Sequence, residues 1–192
     1  MDGVWSMKCS KYQENLILKV INESESREWK NAVNEWRILD CEEDELQNSN
    51  CVCGKENIKY LFTIENELNG NKIYPIGSSC IKKFGREDLN EIISVKESMF
   101  KLLHAIENNK FIELSSEFFT RKLIRKLYED GAFKPNEYNK FSPEKDYDFL
   151  LKMFNKINKN EITEAQKRKI NGLIVGAIKP FLKDRLENKI KK

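Results

Sequence analysis

Cys51-Val52-Cys53-Gly54, the run Ile58 to Ile64, the turn Asn69-Gly70-Asn71, the run Lys72 to Ile76 and Gly77-Ser78-Ser79-Cys80 together decide how this chain folds. A tight cysteine pair followed by glycine is a knuckle, because glycine frees the turn and lets backbone amides point at sulfur. Ile58 to Ile64 is rich in branched and aromatic residues and reads as a strand. Asn-Gly tolerates positive φ, so Lys72 to Ile76 is the returning strand of a hairpin. Serine then caps a helix that opens Cys80-Ile81-Lys82-Lys83-Phe84. The free amides and positive dipole end of such a helix favour a thiolate. A knuckle and a helix start that deliver sulfur from either end of a hairpin build a treble-clef or ribbon-like zinc site. Zn²⁺ takes four ligands at tetrahedral corners, and a site closed by four thiolates has no open position and is structural.

The pattern departs from the usual one in two places. The first pair is Cys-x-Cys rather than Cys-x₂-Cys. The helix supplies one cysteine, with Gly77 three residues before Cys80 and Lys83 three after. A fourth ligand therefore comes from elsewhere. Cys41 is the first choice because its segment leads into the knuckle; Cys9 is second and His104, the only histidine, is third. The expected metal set is Cys51, Cys53, Cys80 and Cys41 around a structural Zn²⁺. The competing reading is a group of small buried thiols that behave as apolar residues. Five cysteines, an odd number, and no basic-then-apolar pattern from Met1 to Ser10 argue against a disulfide framework.

Outward from this module the chain reads mostly helical. Leu16 to Ile21 is a short apolar run that fits strand or helix. Trp29, Val33 and Trp36 share one face of a helix over Ser26 to Trp36, and Ile38-Leu39 continue as a short strand. Asp40 to Glu45 holds five acids in six residues and reads as an exposed loop. Helices are expected over Asp88 to Glu107 and Ser116 to Asp130, the latter ended by Gly131. Another starts at Ser142-Pro143, and a last one at the capping box Thr163/Gln166, with Pro180 kinking or restarting it. The fold class is α+β, mostly α. The expected division is an N-terminal segment with one helix (1–35), the knuckle and hairpin module (36–86) and a helical region (87–192).

Glu35-Trp36, Cys51-Val-Cys53-Gly54, Ile64-Glu65-Asn66, Asn69-Gly70, Ile76-Gly77-Ser78-Ser79-Cys80-Ile81 and Phe84 together resemble a loose group of small phage and large-virus proteins. These share a CxCG knuckle, an I-x-N strand and a G-x-x-C-[IV]-x-x-[FY] helix start. The resemblance covers about residues 30–86. It implies a viral or prophage accessory protein with a small metal-stabilised module, and it implies no activity.

The chain has 192 residues, with 40% apolar, 34% charged and 10% aromatic side chains, which sets it apart from disordered chains. No apolar run approaches the ~18 residues that span a bilayer. A soluble protein, cytoplasmic in a host cell and without a membrane partner, is the expectation. Net charge is +3, but residues 111–192 hold 19 basic and 12 acidic side chains. Enzyme signatures are missing: one histidine, no phosphate loop and no deaminase motif. Asp146 and Asp148 face different ways on a helix and read as a solvated first turn rather than a Mg²⁺ pair. A basic second half suggests a polyanion partner. The candidate nucleic-acid contacts are Lys82, Lys83 and Arg86, Arg121 and Arg125, and Lys167 and Arg168, as strips that neutralise phosphates without reading sequence. The alternative is a protein-binding inhibitor or adaptor acting on a host or anti-phage defence protein.

Overall fold

Strands β2 (Tyr60–Asn66) and β3 (Lys72–Ile76) form the expected antiparallel hairpin in this computed structural model, which describes residues 10–108, 112 and 114–191. β1 (Trp36–Asp44) lies antiparallel on the other side of β2, with Ile38 opposite Ile64, Cys41 opposite Phe62 and a bulge between Ile38 and Asp40. A two-residue strand near the C-terminus, β4 (Ile190–Lys191), runs parallel to β1 and completes the order β3-β2-β1-β4. The remaining elements are helices, so the chain is α+β and mostly α.

The described residues form two compact units. The first runs to Ile93 and takes in residues 189–191; the second is Ser94–Asn188. The boundary falls within a long helix, α4 (Glu87–Glu107), rather than at residue 86, and the expected N-terminal segment belongs with the hairpin. In the first unit, α1 (Lys11–Asn22) is capped by Ser10, whose hydroxyl accepts from the Gln13 amide. It buries Leu16 and Val20 completely, and the sheet buries Trp36, Phe62, Ile64, Ile73 and Ile76. Each such side chain contributes about 1.5–3 kcal/mol of transfer free energy. Helix α3 (Ser78–Lys82) adds Cys80 and Ile81 to this core.

Two expectations for the first unit are corrected. The helix over Ser26 to Trp36 is only α2 (Trp29–Ala32) and a 3₁₀ turn (Val33–Glu35), and Trp36 is already extended. The buried Glu35 carboxylate sets this limit. It accepts from the amides of Glu25 and Ser26, each at 2.8 Å, and from Asn66 Nδ2 at 2.7 Å. It thereby ties the turn before α2 to the end of β2. Trp36 Nε1 donates to Ser24 Oγ beside it at 2.9 Å.

The acidic run is a strand and not a loop. Its backbone pairs with β2 on one side and β4 on the other, and its charges have partners distant in sequence. Glu43, fully buried, pairs with Lys59 at 3.0 Å; Glu42 pairs with Lys191 at 3.1 Å and accepts from Tyr74 Oη; Asp40 pairs with Lys189.

The second unit contains α5 (Arg121–Glu129), α6 (Pro143–Asn155), α7 (Glu164–Leu173) and α8 (Lys179–Leu186), together with residues 94–107 of α4. α5 starts later than expected because Thr120 caps it, its hydroxyl accepting from the Leu123 amide at 3.0 Å. The Thr163/Gln166 capping box is present. A π-helical stretch, Ile174–Ile178, precedes α8, where Pro180 sits in the first turn as a restart requires. No helix among the described residues is long and apolar enough to cross a membrane.

Burial pushes the Glu35 carboxyl up, but the hydrogen bonds from Asn66, Ser26 and Glu25 outweigh it and leave its pKa below the ordinary value. The stabilisation is therefore present above the unfolded-state pKa and lost as pH falls through the folded-state pKa. E35Q should cost about 1–3 kcal/mol at neutral pH. In urea titrations the gap between wild type and E35Q should close as pH is lowered through the carboxylate range; a gap independent of pH would contradict this assignment.

Candidate metal centre

Three of the predicted cysteine ligands converge. Gly54 takes φ +92°, and the turn it permits closes with its amide on the Cys51 carbonyl at 2.7 Å. The Val52 amide donates to the Pro75 carbonyl at 2.9 Å, which pins the knuckle to β3. Helix α1 packs against the same turn, with Asn15 Nδ2 donating to the Cys53 carbonyl at 3.0 Å. From β3 the chain passes straight into α3, which carries Cys80 on its first turn; its N-cap is Gly77 and not the expected serine, since Ser78 and Ser79 lie within the helix and no side chain caps it.

Cys80 Sγ lies 3.4 Å from Cys53 Sγ and 3.6 Å from Cys51 Sγ. All three sulfurs lie within 4.8 Å of one another and are buried, with residue exposures of 5% or less. The spacings are far from the ~2.05 Å of a disulfide. They are close to the ~3.8 Å edge of a tetrahedron built on Zn–S bonds of about 2.3 Å. Backbone amides also point at sulfur, Gly77 N at Cys51 Sγ (3.3 Å) and Lys55 N at Cys53 Sγ (3.5 Å). The trio could therefore hold a metal ion.

Electrostatics agree with the geometry. The sulfur–sulfur hydrogen bond between Cys51 and Cys80, against the cost of burial and with help from the amides of Cys53 and Gly77, brings the Cys51 pKa down to about 5. Cys80 moves strongly the other way, first through that bond to Cys51 and then through burial. The thiols alone thus share their protons. Two thiolates at this spacing would repel by roughly 5 kcal/mol at an effective dielectric near 20. A dication reverses that balance and allows all three to ionise.

The fourth position is not filled by the first choice. Cys41 sits on β1 with its Sγ 3.7 Å from the Glu42 carbonyl and is not a member of the trio. Strand pairing with Phe62 fixes it there, which proximity in sequence could not reveal. Cys9 lies outside the described residues. His104 belongs to the second unit, its Nδ1 3.9 Å from the Glu107 carboxylate, and is not in the trio.

The basic candidates divide into two kinds. Lys82 and Lys83 are exposed at the end of α3, and Arg121, Arg125, Lys167 and Arg168 are exposed on α5 and α7. Arg121 also donates to Asn155 Oδ1 at 2.7 Å, and Lys167 pairs with Glu164 at 2.9 Å. Arg86 is different. Its guanidinium donates to the carbonyls of Val33 and Asn34 at 3.3 Å and of Trp36 at 2.6 Å, and it pairs with Asp88 at 2.6 Å. It fastens the α2–β1 turn to the start of α4 and is committed to structure.

Asp146 is also corrected. It is 3% exposed rather than solvated, accepts from Asn139 Nδ2 at 2.8 Å and pairs with Lys169 at 3.0 Å. Neither this network nor the Glu35 clasp has a sequence signal, since in both the partners are joined by tertiary packing. No family model, curated protein or solved structure matches this chain.

R86A should destabilise the fold by about 1.5–3 kcal/mol, the range for hydrogen bonds to a charged group. K82A and K83A, as exposed changes, should stay within about 0.5 kcal/mol of wild type in the same denaturation experiment. Equal stability of R86A and K82A would contradict the fastening role.

Proposed function

We propose that the chain is a zinc-stabilised nucleic-acid-binding protein, with a structural Zn²⁺ held by Cys51, Cys53 and Cys80 and a fourth donor. The observation that carries the metal is the buried trio with sulfur spacings of 3.4 and 3.6 Å. Thiolate donors select Zn²⁺ over harder divalent ions such as Mg²⁺. The ion would lock the knuckle, β3 and α3 together. Nucleic-acid binding is supported by the basic surplus of residues 111–192 and by exposed arginines on helices whose other faces are buried. Arg125 is exposed on α5 while Leu123, Ile124 and Leu127 are buried. Such a surface neutralises phosphate and leaves sequence unread. The resemblance to phage and large-virus proteins fits an accessory protein acting in the host cytoplasm.

Protein purified without chelators should carry about one zinc per chain by elemental analysis. C51S and C80S should lose metal and fold together, while C41S keeps both. A well-folded chain without metal would overturn the zinc reading.

Binding to a labelled duplex, followed by fluorescence anisotropy, should weaken steeply between about 50 and 200 mM salt. R125A and R168A should each reduce the log–log salt slope by about one. A salt-independent affinity, or a host protein captured after nuclease treatment with no affinity for any oligonucleotide, would overturn the nucleic-acid reading.

A further inference from the structure

The segment Asn136 to Ser142 holds aromatic rings in water on a rigid support. Tyr138 is 95% exposed and Phe141 is 68% exposed, with the exposed Lys140 between them in sequence. Lone exposed apolar side chains are ordinary. The backbone beneath these is not. Lys140 and Phe141 are consecutive non-glycine residues at φ +54° and +57°, a left-handed conformation that L side chains disfavour and that persists where the surroundings over-determine it.

The surroundings here do so. Asn136 and Asn139 form a reciprocal capping box, and the Phe141 amide donates to the Asn136 carbonyl at 2.8 Å. Asn139, 1% exposed, donates to the Lys134 carbonyl and to Asp146, which is itself clamped by Lys169 at 3.0 Å. A buried polar network is thus spent on a turn whose outward residues are two aromatics and a lysine.

Tyr138 also lines a cleft of about 760 Å³ within the second unit, together with the exposed Arg168. Its wall from α7 and the following π-helical stretch carries Gly172, Gly176 and Ala177, and open space lies over both glycines. An aromatic ring, an arginine and a glycine-bearing wall lining one cleft suit a planar, unstacked base attached to phosphate. A duplex keeps its bases inside the stack, so the matching ligand is single-stranded.

We propose that Tyr138 and Phe141 are two stacking sites for single-stranded nucleic acid on one hydrogen-bonded turn, Tyr138 in the cleft it shares with Arg168 and Phe141 in a second cleft beside Tyr128 and Phe133, with Lys140 and Arg168 contacting the backbone phosphates. This rests on the nucleic-acid reading above and deepens it, giving single strands a contact that duplexes lack. The hydrogen-bonded turn fixes the backbone that carries the rings before binding, so less backbone ordering entropy opposes stacking.

The test compares wild type with Y138A, F141A and Y138F, all at exposed positions, against a labelled mixed-sequence single strand and the matching duplex at low salt. Circular dichroism and melting temperature should be unchanged in all variants. Y138A and F141A should each weaken single-strand binding at least about fivefold, the lower end of the stacking contribution of one base. Duplex affinity should stay constant, and Y138F, which keeps the ring, should bind as wild type does. Wild-type affinity for single strands in both alanine variants would overturn the stacking sites while leaving the basic-face reading standing. Absence of binding to either oligonucleotide in wild type would overturn both. Nuclease-resistant capture of a host protein that Y138A abolishes, with oligonucleotide binding unchanged, would assign the rings to a protein interface and overturn this proposal.

Discussion

Three sulfurs from segments up to 29 residues apart can meet at 3.4–3.6 Å only if the knuckle, the hairpin register and the start of α3 are all correct at once. That constraint organises the first unit. Gly54 supplies the left-handed turn that brings Cys51 and Cys53 together. The Val52 amide on Pro75 and the Gly77 amide on Cys51 Sγ fasten the knuckle to the exit of the hairpin. A one-residue slip of β3 against β2 would turn its buried side chains outward. It would also displace Gly77 and the helix that follows. The cysteines and the strand core therefore report on the same register.

The acidic and basic parts of the chain have a partly internal explanation. Lys189 and Lys191 close on Asp40 and Glu42 of strand β1, and Lys59 neutralises the buried Glu43. Some of the C-terminal positive charge is therefore spent on holding the chain's own acidic strand. What remains exposed on α5 and α7 is the part available for an external polyanion. The distinction matters because ion pairs within the fold release no counterions when a ligand binds, whereas exposed cations on phosphate do.

Local chemistry was legible and tertiary chemistry was not. The hairpin could be read from β-branched runs around Asn69-Gly70, and α7 from its capping box. The trio could be read because Gly54 turns the knuckle and the hairpin exit leads directly into the helix that carries Cys80. Cys41 was misplaced because adjacency in sequence says nothing about strand pairing. The run Asp40 to Glu45 looked like a loop because its neutralising lysines come from β2's flank and the far end of the chain. Arg86 looked like a phosphate contact because its acceptors are backbone carbonyls, which no side-chain pattern announces. Helix α2 ended early for a related reason, since Glu35 turns back to meet Asn66 across 31 residues.

Zinc K-edge X-ray absorption of the full chain tests the central claim most directly, because it counts the atoms bonded to the metal. The account predicts a first shell dominated by sulfur at about 2.3 Å, with at least three sulfur scatterers. A shell of nitrogen and oxygen alone would contradict it, since the buried thiols would then be ordinary core residues.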